Sequence, residues 1–113
     1  MAQDEPLLIL SAVYVLELEG GRIYVGQSLN LSGRLSQHWS RRGSQMTKTY
    51  RPHRVVEVHF DAGRDVERER TIHYAKKNGF DKADGTPNVR GSSWCSLNSR
   101  LPPQIPRFLV TES

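Results

Sequence analysis

The stretch Tyr24-Val25-Gly26-Gln27-Ser28-Leu29-Asn30-Leu31-Ser32-Gly33-Arg34-Leu35-Ser36-Gln37-His38 changes from strand character to helix character within a few residues. Its strand, Arg22 to Gly26, follows Glu19-Gly20-Gly21, where the two glycines suit the positive-φ positions of a tight turn. Upstream, Leu8 to Leu18 alternates in part and is rich in β-branched and aromatic residues. The two runs read as paired strands, with Tyr14 and Tyr24 on neighbours. Asn30 is a good helix N-cap, and beyond it Leu31, Leu35 and Trp39 fall on one stripe while Asn30, Arg34 and His38 fall on another. The first stripe is expected to pack and the second to stay free for chemistry.

Outward from this stretch, Arg41 to Pro52 holds Gly43, Ser44 and Pro52 amid basic and hydroxyl residues and reads as a long loop. Val55 to Phe60 reads as a third strand, with Val56, Val58 and Phe60 on one face and Val55, Glu57 and His59 on the other. Asp61 to Asn78 has helical length and meets a natural terminator in Gly79, although Val66, Ile72 and Ala75 make a thin apolar stripe. Asp84-Gly85-Thr86-Pro87 is a turn, and Pro102, Pro103 and Pro106 mark an irregular tail. The expected fold is α/β: a small, mainly antiparallel three-stranded sheet flanked by helices. A length of 113 residues suits a single domain, with a core over 11–96 and tails at 1–6 and 99–113.

Charge points toward a polyanionic partner. Lys and Arg number 16 against 12 Asp and Glu, for a net charge of +4. Twelve of the sixteen cations are arginine, whose planar fork meets phosphate oxygens in pairs. The basic run Arg41, Arg42, Lys48, Arg51 and Arg54, with Tyr50 interleaved, could track a nucleic-acid backbone or be a solvated excursion. A single cysteine, Cys95, forms no internal disulfide, which favours an intracellular setting such as cytoplasm or nucleoid. The apolar run Leu7 to Val13 is short and follows Asp4 and Glu5, so neither a signal peptide nor a membrane span is expected.

Ala12-Val13-Tyr14, Tyr24-Val25-Gly26 ten positions on, Arg34 after a further ten, and His38 one helical turn later together resemble the GIY-YIG nuclease family. Glu67-Arg68-Glu69-Arg70-Thr71-Ile72-His73-Tyr74, followed by Lys76 to Phe80 and Asn88-Val89-Arg90-Gly91, resembles the back half of its small members. The resemblance covers roughly Ser11 to Ser96. Ala12-Val13 departs from the family's Gly-Ile, Gln27 replaces a lysine found in some relatives, and Ala83 to Pro87 looks inserted. A late asparagine near the site would be Asn78 or Asn88, and the sequence leaves that choice open.

What the resemblance implies is hydrolysis of DNA phosphodiesters by direct attack of water, one strand per site. Glu67 would anchor one Mg²⁺ or Mn²⁺, since a hard oxygen ligand suits a cation that keeps most of its waters. Arg34 would stabilise charge on the phosphate, Tyr14 would orient or deprotonate the water with support from Tyr24, and His38 would contact the phosphate or share in proton transfer. Taken singly, each residue has a structural explanation: tyrosines as strand packing, Glu67 as a helix-surface ion pair among Arg64, Arg68 and Arg70. The joint spacing favours the site. Two other readings stand beside it, a non-catalytic nucleic-acid-binding module and an interaction domain for an acidic protein. With no room for an added recognition module, specificity would rest on DNA shape, the basic run, a dimer or a partner protein. His53, His59 and His73 lack zinc-ligand spacing, and Gly20-Gly21 lacks the Lys-Ser/Thr of a phosphate-binding loop.

Overall fold

Residues 12–18 and 22–28 form the hairpin anticipated from the alternation and the double glycine. The computed structural model describes residues 11–91, so the expected tails, Leu8 to Leu10 and Cys95 lie outside the described residues. Strand β1 (Ala12–Leu18) and strand β2 (Arg22–Ser28) are joined by a 3-10 turn, in which Gly20 and Gly21 take φ of 77° and 75°. Glycine enters that region without the steric cost of a Cβ. Their antiparallel register sets Tyr14 opposite Gly26 and Leu16 opposite Tyr24. Because side chains alternate along a strand, Tyr14, Leu16, Leu18 and Tyr24 share one face, and Val13, Val15, Ile23 and Val25 the other.

Each face has its own cover. Helix α3 (Arg64–Asn78) packs with Ala62, Phe80 and Val89 over the valine face, while helix α1 (Leu31–Trp39) and helix α2 (Gln45–Thr49) bring Leu31, Leu35 and Met46 to the tyrosine face. Strand β3 (Pro52–Phe60) runs antiparallel along β1, and strand β4 (Val89–Gly91) runs parallel to β2, for an order β3-β1-β2-β4. The sheet thus has four strands rather than the three expected. Three residues carry too little period to be read as a strand, and β4 owes its existence to the hydrogen-bonding edge that β2 offers.

Two further expectations change. The segment read as a loop contains α2, whose N-cap Ser44 accepts a hydrogen bond from the Thr47 N–H at 3.2 Å. Along β3 the strict two-face pattern fails, because the register slips between Val15 and Leu16: Glu57 lies opposite Val15, yet Val55 lies opposite Leu16. A bulge of this kind adds one residue to one strand and turns the following side chains over. Val55 therefore falls on the face of Val58, and Val55, Val56 and Phe60 are left exposed at the sheet edge.

Glu57 ties that edge strand to α3. It accepts hydrogen bonds from the Tyr74 hydroxyl, from Arg70 at 3.2 Å and from His59 at 2.7 Å. Partial burial pushes its carboxyl up, but the hydrogen bonds from Tyr74, His59 and Arg70 prevail and bring it to about 2. At its far end α3 terminates at Gly79, φ 83°, as expected from the sequence. There the Asn88 side-chain amide donates to the carbonyls of Asn78, at 2.8 Å, and Gly79, at 3.2 Å, docking the approach to β4.

Candidate active site

Four elements converge on the tyrosine face of the sheet. Tyr14 on β1 is fully buried, and its hydroxyl lies 2.7 Å from Nε2 of His38 on α1. The other imidazole nitrogen, Nδ1, lies 2.9 Å from Oγ1 of Thr47 on α2. Tyr24 closes a triangle of rings: its centroid is 6.4 Å from that of Tyr14 and 5.2 Å from that of His38, which is itself 5.5 Å from Tyr14. Two glycines make room for it. A Cβ on Gly26 would sit 2.3 Å from the Tyr14 hydroxyl, and one on Gly43 would sit 2.3 Å from His38 Nδ1.

The helix that carries His38 is oriented differently from the expectation of one packed stripe and one free stripe. His38 is the buried residue of α1, whereas Trp39 is 42% exposed. At about 100° per residue, Leu31, Leu35 and His38 span one narrow face, with Arg34 at one margin and Trp39 at the other. The helix turns its imidazole into the sheet and keeps Arg34 half-buried at the rim, where Nη1 donates to Gln37 Oε1 at 2.7 Å. Asn30 caps the helix as expected, its Oδ1 accepting from the Gly33 N–H at 3.1 Å.

Arg34 and Glu67 both act on the titration of the Tyr14 and Tyr24 rings. Burial pushes the Tyr14 phenol up, as do the neighbouring Tyr24 and Glu67, against the hydrogen bond and positive charge of Arg34. Burial likewise pushes Tyr24 up, opposed by the charge of Arg34 and by hydrogen bonds from Ser44 and Arg34, while Glu67 adds to the rise. The His38 imidazole is pushed down to about 4 by burial and by the Arg34 cation. At neutral pH the three rings are therefore uncharged, between one cation and one carboxylate.

That carboxylate, Glu67, comes from the first turn of α3 and is 2% exposed. Its backbone carbonyl accepts from the Thr71 hydroxyl one turn on, at 2.8 Å, and Glu67, Thr71 and Ala75 form the buried stripe of the helix. Glu69 faces elsewhere: its side chain is 61% exposed and pairs with Arg70 at 2.8 Å. Among the described residues no group of three or more His, Cys, Asp or Glu comes together. A single buried hard carboxylate whose charge reaches two phenols fits a cation such as Mg²⁺, which keeps waters and takes ligands from a bound phosphate, and does not fit a zinc cage.

Residues named for phosphate tracking do not all lie on the tyrosine side of the sheet. Arg41, with φ 66° after α1, turns its guanidinium onto the carbonyls of Thr47, at 2.8 Å, and Lys48, at 2.7 Å, so it braces α2. Arg54 pairs with Glu17 at 2.5 Å on the far side of the sheet. Arg42, Lys48 and Arg51 are exposed. A cleft of about 470 Å³ runs from Tyr24 past Ser44, Met46 and Tyr50 to Arg90. Of the two asparagines, Asn88 is engaged with the end of α3, and Asn78 lies eleven residues past Glu67, about 16 Å along the helix axis.

Ser44 and Thr47 were not among the expected site residues. Their spacing is that of an N-cap hydroxyl and the N3 residue of a helix, a signal hidden by the surrounding Gly, Arg and Pro. Residues 10–81 match the family model described as the GIY-YIG catalytic domain. No curated protein and no solved structure gives a significant match.

Proposed function

The chain belongs to the GIY-YIG family, and from that premise we propose that it is a divalent-metal-dependent DNA endonuclease cutting one strand per active site. The observation that supports this most directly is a buried carboxylate, Glu67, whose charge acts together with that of Arg34 on the Tyr14 and Tyr24 phenols. Phosphodiester hydrolysis needs a positioned water, compensation of the charge that builds on the phosphate, and relief for the departing oxygen. Tyr14 holds the water on its hydroxyl, and Tyr24 walls that hydroxyl from one side. Arg34 at the rim offers its guanidinium to the phosphate oxygens. Glu67 would hold the divalent ion, whose charge adds to that of Arg34 at the phosphate.

His38 has two proposed roles, contact with phosphate or a share in proton transfer. Fully buried, with one nitrogen on Tyr14 and the other on Thr47, it suits the second. Exposed Arg42, Lys48 and Arg51 would add affinity for the DNA backbone without reading sequence. Cutting both strands would take a second copy or a second encounter.

The test is conversion of supercoiled plasmid to the nicked circle. Cleavage is expected with Mg²⁺ or Mn²⁺ and is expected to stop on chelation. DNA binding at low salt without cleavage under any divalent ion would favour the non-catalytic module, and absence of binding to DNA or RNA would favour the acidic-protein partner.

A further inference from the structure

The hydroxyl of Thr47 has one proton and several neighbours, and their chemistry decides where that proton goes. Thr47 is fully buried, and its Oγ1 lies 3.1 Å from the Ser44 carbonyl oxygen, 3.2 Å from Ser44 Oγ and 2.9 Å from His38 Nδ1. A carbonyl can only accept, and a threonine hydroxyl reaching back to the carbonyl three residues earlier is a common helix arrangement. With the Thr47 proton on that carbonyl, its oxygen becomes an acceptor for Nδ1–H. The neutral imidazole then has a bare Nε2 facing the Tyr14 hydroxyl at 2.7 Å, which must donate to it.

The opposite tautomer fits less well. Nε2–H would then donate to the Tyr14 oxygen, and the Tyr14 proton would have to find another acceptor. The Nδ1–H form runs the chain from Tyr14 through His38 and Thr47 to the Ser44 carbonyl, so that it ends on a group that can only accept. Burial keeps the imidazole neutral at pH 7, so there is a single tautomer to fix. Gly43, whose Cβ would collide with Nδ1, keeps that side of the ring open to Thr47.

We propose that Thr47 is a positioning residue that holds His38 as its Nδ1–H tautomer, so that His38 Nε2 takes the Tyr14 proton while Tyr14 takes one from the attacking water. In that step a water O–H bond breaks and a phenol O–H forms; the original phenol O–H breaks and Nε2–H forms. The hydroxide oxygen bonds to phosphorus, and the departing oxygen leaves with the electron pair of the P–O bond. The imidazolium proton returns through Tyr14 to solvent after the products separate. The orientation of the relay stands on the hydrogen-bond geometry and on the neutrality of the buried imidazole, and its use in catalysis rests on the proposed nuclease reading.

Nitrogen-15 NMR of the ring nitrogens in wild type reads the tautomer directly, without DNA. Nδ1 is expected to be protonated and Nε2 bare; the reverse pattern overturns the proposal whatever the enzyme does. Thr47→Val removes the hydroxyl at constant volume and is expected to mix or reverse the tautomers. It should also lower kcat for nicking by about tenfold or more with KM nearly unchanged, as for partial loss of a general-base contribution. Thr47→Ser should restore both. A folded Thr47→Val variant with wild-type tautomer and kcat sinks the proposal. If wild type cleaves nothing, the nuclease reading falls, while the nitrogen shifts still decide how the relay points.

Discussion

Two residues show how the site is fitted to its scaffold. Gly26 sits across from Tyr14 in the strand register, and any side chain there would enter the phenol. Gly26→Ala is expected to cost on the order of 1–3 kcal/mol through overpacking and to lower nicking sharply, because Tyr14 must move off His38. Thermal unfolding and a plasmid assay on the same preparation check both. His38 carries a pH signature. Its pKa is about 4 in the fold against the ordinary 6.5, so between those values the unfolded chain binds a proton that the fold refuses. Stability is then lost as pH falls from 6.5 toward 4. Glu57, depressed from 4.5 to about 2, adds its loss only below 4.5. Melting curves between pH 6.5 and 4.5 should show a decline that His38→Gln flattens. At this scale the spacing of Tyr14, Tyr24, Arg34, His38 and Glu67 was legible in the sequence. The burial of His38 was not, because a lone His one turn after an Arg gives no sign of which face the helix turns inward.

Elements were legible in proportion to their period. The β1–β2 hairpin, α1 with its Asn30 cap, and the end of α3 at Gly79 all follow from local chemistry. Asn30→Ala removes the acceptor for the Gly33 N–H and should cost about 1 kcal/mol, a shift readable by denaturant titration. The same substitution loosens the turn carrying Arg34, so turnover should fall more than stability alone accounts for. Helix α2 and strand β4 escaped because five and three residues carry almost no period. Tertiary contacts define them: the Arg41 guanidinium braces the α2 carbonyls, and Asn88 docks β4 beside β2. The bulge in β3 was invisible for a related reason, since a register shift exists only between two strands.

At the scale of the whole molecule, the sheet holds two kinds of chemistry apart. The valine face is apolar packing under α3, and the tyrosine face is a partly polar core in which β1, β2, α1 and α2 present rings and hydroxyls. Glu67 links them: it is buried on α3, and its charge, opposite in sign to that of Arg34, bears on both phenols. That convergence is the central claim, and two neighbouring carboxylates test it. Glu67 and Glu69 lie about 200° apart around α3, one buried and the other exposed on Arg70. The measurement is the initial rate of Mg²⁺-dependent nicking of supercoiled plasmid by wild type, Glu67→Gln and Glu69→Gln, with DNA binding followed in parallel. Glu67→Gln is expected to lose cleavage while binding DNA at least as well as wild type, and Glu69→Gln to cut at close to the wild-type rate. Retained cleavage by Glu67→Gln, together with its loss in Glu69→Gln, would contradict the account.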